Sequence, residues 1–284
     1  MRSLRADGAW EVSGACTSEE KAQALREAGV DAHVWHPDDG HGLERAGLEA
    51  LQAATHVLSS VPPAADFNRD PVLQLHASQL ASHGRLRWCG YLSSTSVYGD
   101  HAGGWVDEFS ELRVRPDGGP GDKAYPRAQA EREWMRLHSE AGVPVTAFRL
   151  GGIYGPARNV LSSLRRGAPS AAQRAREGKR FTSRVHVDDI VAILRASMAA
   201  PTPGCVYNCV DDDPAPRAEV LAFADALLRG LPPPPHKGSA PLESGGGEKR
   251  VRNERVKREL GVQLRYPSYR DGVAALVSSV QACE

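Results

Sequence analysis

Phe148-Arg149-Leu150-Gly151-Gly152-Ile153-Tyr154-Gly155-Pro156 is the stretch that decides the fold, because it ends a strand-length apolar run, residues 143–150, at two adjacent glycines. Ser60-Val61-Pro62 and Ser93-Ser94 follow earlier apolar runs in the same way. Ligands of open α/β sheets bind outside the carboxyl ends of strands, and small residues there let the backbone approach a ligand closely. These strand ends therefore predict one edge of a sheet that holds a ligand. The other interpretation, that these serines and glycines are ordinary turn residues, stays open.

Short apolar runs alternate along the chain with longer, helix-length segments. The predicted strands are residues 10–15, 32–35, 56–61, 86–94, 143–150 and 205–210. The first predicted helix opens at Thr17, and later ones cover residues 43–53, 70–83, 125–141, 187–199 and 217–228. This alternation predicts an α/β fold with a doubly wound parallel sheet, and we expect the last four strands to share one sheet.

The composition excludes several classes of function. The chain has 284 residues, with 35 Lys+Arg and 35 Asp+Glu, so its formal net charge is zero. No overall positive field attracts nucleic acid or an anionic membrane, and no apolar run approaches the ~20 residues that span a bilayer. The five cysteines are scattered, which favours free or buried thiols in a reducing compartment. We therefore expect a soluble, intracellular protein, in cytoplasm or plastid, and the sequence leaves its oligomeric state open.

Three motifs in this order carry a family resemblance: Tyr91-Leu92-Ser93-Ser94-Thr95-Ser96-Val97-Tyr98-Gly99-Asp100, the stretch that ends at Pro156, and Val185-His186-Val187-Asp188-Asp189-Ile190. Together they resemble the extended short-chain dehydrogenase/reductases, the superfamily of nucleotide-sugar epimerases and dehydratases. Two later segments resemble its atypical YeeZ-like subgroup more narrowly. These are Tyr207-Asn208-Cys209-Val210-Asp211-Asp212-Asp213-Pro214-Ala215-Pro216 and Gly247-Glu248-Lys249-Arg250-Val251-Arg252-Asn253.

The resemblance implies a Rossmann-type sheet, with an NAD(P)-binding domain over residues 1–156 and a smaller substrate-side region over residues 157–284. Within that region, residues 187–210 are expected to return to the Rossmann sheet. It also implies NAD(P)-dependent oxidoreductase or epimerase/dehydratase-like activity on a small, possibly anionic metabolite. Two alternatives stay open: a non-catalytic nucleotide-binding or scaffold protein of the same fold, and a non-functional truncated gene product.

The sequence departs from the family at its start. In the family, the sheet opens with a strand and Gly-x-Gly-x-x-Gly, and the next helix binds pyrophosphate at its N-terminus. This sequence contains no such motif; residues 1–8 match the tail of the first helix, and residues 10–15 match the second strand. We expect a sheet without its first strand, two strands with an unpaired edge, and weakened binding of NAD or NADP. A truncated gene model or an alternative start is our interpretation of this departure.

The resemblance implies a catalytic Tyr, a Lys four residues later, and a Ser or Thr that orients the substrate oxygen. Ser94 and Tyr125 match the Ser and the Tyr. Gln129 stands where the Lys is expected, and it cannot supply the positive charge that lowers a tyrosine pKa from about 10. Arg127 is cationic, but residues two apart on a helix point in different directions, so its side chain does not face Tyr125. The alternative is that Tyr125 is a partly exposed residue that opens a helix.

The expected cofactor contacts lie at strand ends. Thr17 and Ser18 lie where an acidic residue would favour NAD. Their hydroxyls favour NADP instead, because they could bond a 2′-phosphate. The alternative is that either residue is a helix cap. The remaining expected cofactor-binding residues are Ser60, Val61, Pro62, Ser93, Gly151 and Gly152. Arg158 and Asn159 are the candidates for an anionic substrate, and a solvated arginine-rich surface is the alternative there.

No metal site is predicted. His33, His36 and His41 lie close in sequence but lack the four ligands that a closed zinc site needs. Cys205 and Cys209 are expected in the core. The segment His186-Val187-Asp188-Asp189 is expected to open a helix, because acidic residues favour the first helical turn.

Overall fold

The computed structural model describes residues 2–63, 70–117, 123–157, 161, 164, 180–235 and 249–281. Its strands are β1 (Ser13–Cys16), β2 (Asp31–Val34), β3 (His56–Ser59), β4 (Trp88–Ser94), β5 (Trp105–Val106), β6 (Val145–Leu150), β7 (Gly152–Tyr154), β8 (Arg184–His186), β9 (Val206–Cys209) and β10 (Arg250–Val251). Its α-helices are α1 (Arg2–Ala6), α2 (Glu19–Glu27), α3 (Arg45–Ala53), α4 (Pro71–Ala81), α5 (Ala124–Ala141), α6 (Val187–Ala199), α7 (Arg217–Leu228), α8 (Glu254–Leu260) and α9 (Tyr269–Gln281). No helix within these ranges is long and apolar enough to cross a membrane.

Four strands share one sheet in the order β3-β4-β6-β9. β3 and β4 pair in parallel, with His56 opposite Trp88 and Ser59 opposite Tyr91. Every residue of β6 is buried, which is typical of an inner strand covered on both faces. These are the last four strands of the sequence prediction, so the prediction that they share one sheet is confirmed, as is the α/β fold class.

β1 and β2 form a separate two-stranded parallel sheet. Among the described strands, β1 therefore pairs only with β2, and β3 pairs only with β4. No residue of β1 is buried, unlike those of β6. The ring of Trp10, just before β1, packs edge-on against His56 of β3 with 4.8 Å between centroids. Within the described residues, β1 and β3 thus each have one edge without a strand partner, and the absence of a first strand stays a prediction.

Side-chain caps explain where several helices begin. The Ser18 hydroxyl accepts a hydrogen bond from the backbone N–H of Lys21 at the start of α2 (3.3 Å). Asp70 caps α4, ahead of Pro71 at the first helical position, and His186 caps α6. Such caps satisfy N–H groups that the first helical turn leaves unpaired.

The chain forms two compact units built from interleaved segments. Unit 1 comprises Met1–Leu92, Gln129–Ala147 and Pro201–Cys205, and unit 2 comprises Ser93–Ala128, Phe148–Ala200 and Val206–Glu284. In unit 1 the rings of Tyr91 and Trp134 stack with centroids 5.5 Å apart. An apolar cluster of unit 2 packs side chains of α7 and α9, with Phe223 edge-on to Tyr269. The predicted division of the chain at residue 156 stays a prediction.

Candidate functional site

The carboxyl end of β4 carries two of the predicted site residues, both in unit 2. Ser93 is buried. The Ser94 hydroxyl accepts a hydrogen bond from the backbone N–H of Ser96 (3.2 Å) and so caps the 3₁₀ helix Thr95–Tyr98. Because the Ser94 oxygen is the acceptor in this bond, its own O–H can still donate. Ser94 therefore has a local structural role and retains one hydrogen-bond donor.

The two glycines after β6 differ in what surrounds them. A Cβ on Gly151 would lie 2.9 Å from the carbonyl oxygen of Ser183 and 3.0 Å from Val210. Packing alone therefore requires glycine at position 151. A Cβ on Gly152 would lie 3.5 Å from the same oxygen, an ordinary contact, and Gly152 is exposed. Packing does not explain the glycine at position 152, so close approach by a ligand remains its best physical reason.

Tyr125 is the second residue of α5 and is half-buried in unit 2. One helical turn later, the side-chain oxygen of Gln129 accepts a hydrogen bond from Arg132 (2.6 Å). The Gln129 amide is uncharged, so it supplies no positive charge that could lower the pKa of a tyrosine. The roles of Ser94 and Tyr125 in catalysis stay predictions.

In unit 1, the candidate cofactor residues follow β1 and β3. Ser18 is the cap of α2, which is the alternative that the sequence left open, and Thr17 is exposed beside it. After β3, Ser60 and Pro62 are exposed and Val61 is half-buried between them. The cofactor contacts of these residues stay predictions, and the structure shows that three of their side chains face solvent.

The two substrate candidates, Arg158 and Asn159, lie outside the described residues. Within the described ranges there is no group of three or more His, Cys, Asp or Glu that could hold a metal ion. His33, one of the three clustered histidines, lies 3.1 Å from the carboxylate of Asp31.

Two of the motifs that carry the resemblance, through Tyr98 and Arg149, meet the later segment that contains Asn208 in a buried network of unit 2 that the sequence reasoning missed. The Arg149 guanidinium donates to the Tyr98 hydroxyl (2.8 Å), which donates to the Asn208 side-chain oxygen (2.7 Å). The Asn208 backbone N–H donates to a carboxylate oxygen of Glu108 (2.8 Å). Tyr98, Arg149 and Asn208 are all at least nine-tenths buried. We call these four residues the paired network.

The paired network is structural rather than catalytic. Burial raises the pKa of Tyr98 to about 12, although the positive charge of Arg149 opposes that shift. A fully buried tyrosine that remains protonated cannot reach a substrate as a base. One signal was available in the sequence: Arg149 interrupts an apolar strand, and a buried arginine must find partners.

The segment after β8 opens a helix, as the sequence predicted. His186 Nδ1 accepts a hydrogen bond from the backbone N–H of Asp188 (3.2 Å). The buried carboxylate of Asp189 accepts hydrogen bonds from the backbone N–H groups of Arg265 (2.6 Å) and Tyr266 (3.1 Å). His186 Nδ1 and the Asp189 carboxylate therefore both accept hydrogen bonds from backbone N–H groups.

Comparison with known sequences identifies relatives over most of the chain. The protein YeeZ of Escherichia coli K12 is 32% identical over 272 residues, which cover 93% of this chain and 90% of YeeZ. A 3-diazoavenalumate denitrifying reductase of a Streptomyces species is 33% identical over 185 residues, covering 59% of this chain and 58% of the reductase. No protein-family model matches the chain.

Solved structures give the same result for the fold. A conserved protein of unknown function from Silicibacter pomeroyi superposes with a TM-score of 0.77 at 37% identity, covering 98% of this chain and 93% of that one. The dTDP-glucose 4,6-dehydratase of Bacillus anthracis, solved in complex with NAD, superposes with a TM-score of 0.73 at 15% identity. The dehydratase match covers 99% of this chain and 91% of the dehydratase, and it bears on the fold alone.

Proposed function

We propose that this chain, which belongs to the YeeZ-like subgroup of atypical extended short-chain dehydrogenase/reductases, is an NAD(P)-dependent oxidoreductase or epimerase/dehydratase-like enzyme. Its substrate would be a small, anionic metabolite. The observation that supports this most directly is Gly152, an exposed glycine at the carboxyl end of β6 that packing does not require. Ligands of open α/β sheets bind at such ends. Among the relatives, one is named a reductase, and a structural neighbour was solved with NAD.

For the cofactor, we propose contacts from the strand ends Ser60–Pro62, Ser93 and Gly151-Gly152, with Thr17 and Ser18 favouring NADP. A bound nicotinamide would supply hydride transfer. The printed sequence contains no glycine-rich loop, whose backbone N–H groups supply much of the pyrophosphate affinity in this fold. We therefore propose that this sequence binds the cofactor more weakly than it would with such a loop.

For the chemistry, we propose that Ser94 donates its free O–H to a substrate oxygen and that Tyr125 exchanges a proton with it. The cap that Ser94 provides to the 3₁₀ helix fixes the direction of its hydroxyl. Gln129 offers Tyr125 no charge, so proton transfer by this tyrosine would be slow at neutral pH. A low turnover number is the consequence of this assignment.

Fluorescence titration with NADH and NADPH tests the cofactor. We expect a dissociation constant on the order of micromolar for one of them. A version preceded by a strand and a Gly-x-Gly-x-x-Gly loop should bind at least about tenfold more tightly, which requires only ~1.4 kcal/mol. If neither nucleotide binds to either version, the proposed function is wrong.

Two variants then test the catalytic residues against a panel of nucleotide sugars and aromatic acids. Ser94→Ala and Tyr125→Phe should abolish turnover and leave nucleotide affinity unchanged. Ser96→Ala is the matched control, because this neighbouring serine contributes its backbone N–H to the cap. Turnover that survives both substitutions would support a non-catalytic role for Ser94 and Tyr125.

A further inference from the structure

Four polar side chains of unit 2 lie together near the carboxyl ends of β6 and β9. Tyr154 ends β7, Arg184 begins β8, Asp211 follows β9, and Arg217 begins α7. The backbone N–H of Asp211 donates to the carbonyl of Arg184 (2.6 Å), and β7 and β8 pair so that Tyr154 lies opposite His186. The charges of Asp211, Arg217 and Tyr154 all act on Arg184. We call these four residues the unpaired cluster.

Four side-chain polar atoms of the unpaired cluster have no hydrogen-bond partner among the residues that the structure describes. These atoms are the Tyr154 hydroxyl, both carboxyl oxygens of Asp211 and Nε of Arg217, all of them buried. The backbone N–H groups of Arg184 and Asp213 lie near the Asp211 carboxyl, but neither makes a hydrogen bond of good geometry with it. The Arg184 guanidinium donates through Nη1 to the carbonyls of Thr182 (2.7 Å) and Ala215 (2.8 Å), and it lies 5.9 Å from the centre of the Tyr269 ring. A buried polar atom left unpaired costs roughly 1–3 kcal/mol, so several in one place indicate groups that expect a ligand.

The arginines of this cluster lack a counter-ion in contact. Across the part of the chain that the structure describes, no carboxylate lies within ion-pair distance of Arg184 or Arg217. Other nearby acids are engaged elsewhere: Asp189 accepts backbone N–H groups, and Asp213 accepts the Ser268 hydroxyl (2.7 Å). Two neighbouring guanidinium groups without an anion between them repel each other.

Burial also favours the protonated forms of Asp211 and Tyr154, which can donate hydrogen bonds. It raises the pKa of Asp211 well above its usual range, against the attraction of Arg184, and so favours the protonated carboxyl. Burial likewise raises the pKa of Tyr154, which keeps its O–H. A protonated carboxyl, a phenol and two guanidinium groups all donate.

We propose that Arg184, Arg217 and Tyr154 bind a small oxyanion, the carboxylate or phosphate group of a ligand, with the Asp211 carboxyl as a further donor. Guanidinium groups bind both oxyanions through paired N–H···O bonds, which explains two arginines at one place. That the oxyanion belongs to the substrate rests on the proposed function, whereas the oxyanion site itself does not.

The test uses inorganic phosphate and malonate as separate probes. Each is titrated into the full chain while thermal unfolding is followed, and a bound anion raises the midpoint with concentration by mass action. We expect at least one probe to stabilise the wild type, and the responding probe shows which oxyanion the site takes. Arg217→Gln should weaken that response at least tenfold. The matched control is Arg229→Gln, because Arg229 follows the same helix and pairs with Asp225 instead (3.0 Å).

Tyr154→Phe is the second variant, since it removes only an unpaired oxygen and should fold normally. It should reduce the anion response and leave unfolding without anion unchanged or slightly later. Equal responses from wild type, Arg217→Gln and Tyr154→Phe, or no response to either probe, would overturn the oxyanion site. Titration with NADH is independent of both, so retained nucleotide binding would show that the proposed function survives that failure.

Discussion

Unit 2 contains two buried groups of similar composition, and they differ in whether their atoms find partners. The paired network and the unpaired cluster each combine a tyrosine, an arginine and an acid. In the paired network, Arg149, Tyr98 and Asn208 donate in a continuous chain of bonds no longer than 2.8 Å. In the unpaired cluster, the Tyr154 hydroxyl and both Asp211 carboxyl oxygens bond to nothing that the structure describes.

The difference separates structural from binding roles better than burial or residue type does. A satisfied network stabilises the fold and has no atom to spare for a ligand. An unsatisfied cluster costs stability, which a ligand that supplies the missing partners would restore. Substitutions in the paired network should therefore lower the stability of the fold, and substitutions in the unpaired cluster should weaken ligand binding.

The largest expected effect comes from comparing two arginines. Arg149→Met should lower the free energy of unfolding by about 3–5 kcal/mol, because it leaves the buried Tyr98 hydroxyl without its donor and removes a positive charge that acts on Glu108. Arg217→Met should change it by no more than about 0.5 kcal/mol, since no protein bond is lost. Urea unfolding in buffer free of phosphate and carboxylate measures both. Similar losses would remove the distinction between the two groups.

The next effect compares two adjacent glycines. Gly151→Ala should cost roughly 1–3 kcal/mol of stability, because its Cβ would meet the Ser183 backbone at 2.9 Å. Gly152→Ala should be nearly neutral in stability but should weaken NADH or NADPH binding. Unfolding and fluorescence titration of the same two proteins give the comparison. If Gly152→Ala binds the nucleotide as tightly as the wild type, Gly152 is an ordinary turn residue.

The last prediction is a pH dependence from Asp211. Its folded-state pKa is raised by burial, so the folded protein holds the proton over a range where the unfolded chain has released it. This contribution to stability is greatest below the usual carboxyl range and is lost as pH rises towards the folded value. Asp211→Asn does not titrate, so its stability relative to wild type should increase as pH rises above the usual carboxyl range. A difference that is flat or falls with pH would show that Asp211 is not a protonated donor.

The sequence predicted the elements well where apolar periodicity extends over several turns. α6 and α7 begin and end at the predicted residues, Val187–Ala199 and Arg217–Leu228. Strand ends were less predictable: the run at residues 56–61 pairs only over His56–Ser59. Apolar character continues past the last pair of hydrogen bonds, so composition alone overestimates the length of a strand.

The sequence predicts candidate site positions at strand ends but does not distinguish the roles of the residues there. Gly151 and Gly152 have the same sequence signal, and only the position of the Ser183 carbonyl separates them. The unpaired cluster draws single residues from β7, β8, the end of β9 and α7. No local pattern connects such distant positions, and an unpaired atom is defined by its surroundings rather than by its residue type.

The two hydrogen bonds to the Asp189 carboxylate also affect which positions of the sequence tolerate substitution. These bonds join residues that are 76 and 77 positions apart in the sequence. They close a loop and so constrain the chain much as a cross-link does. The acceptor must be a carboxylate at one position, but the donors are main-chain amides that every residue except proline supplies. The tether is therefore encoded at position 189 alone. We therefore expect substitutions of Arg265, except by proline, to leave these two hydrogen bonds in place.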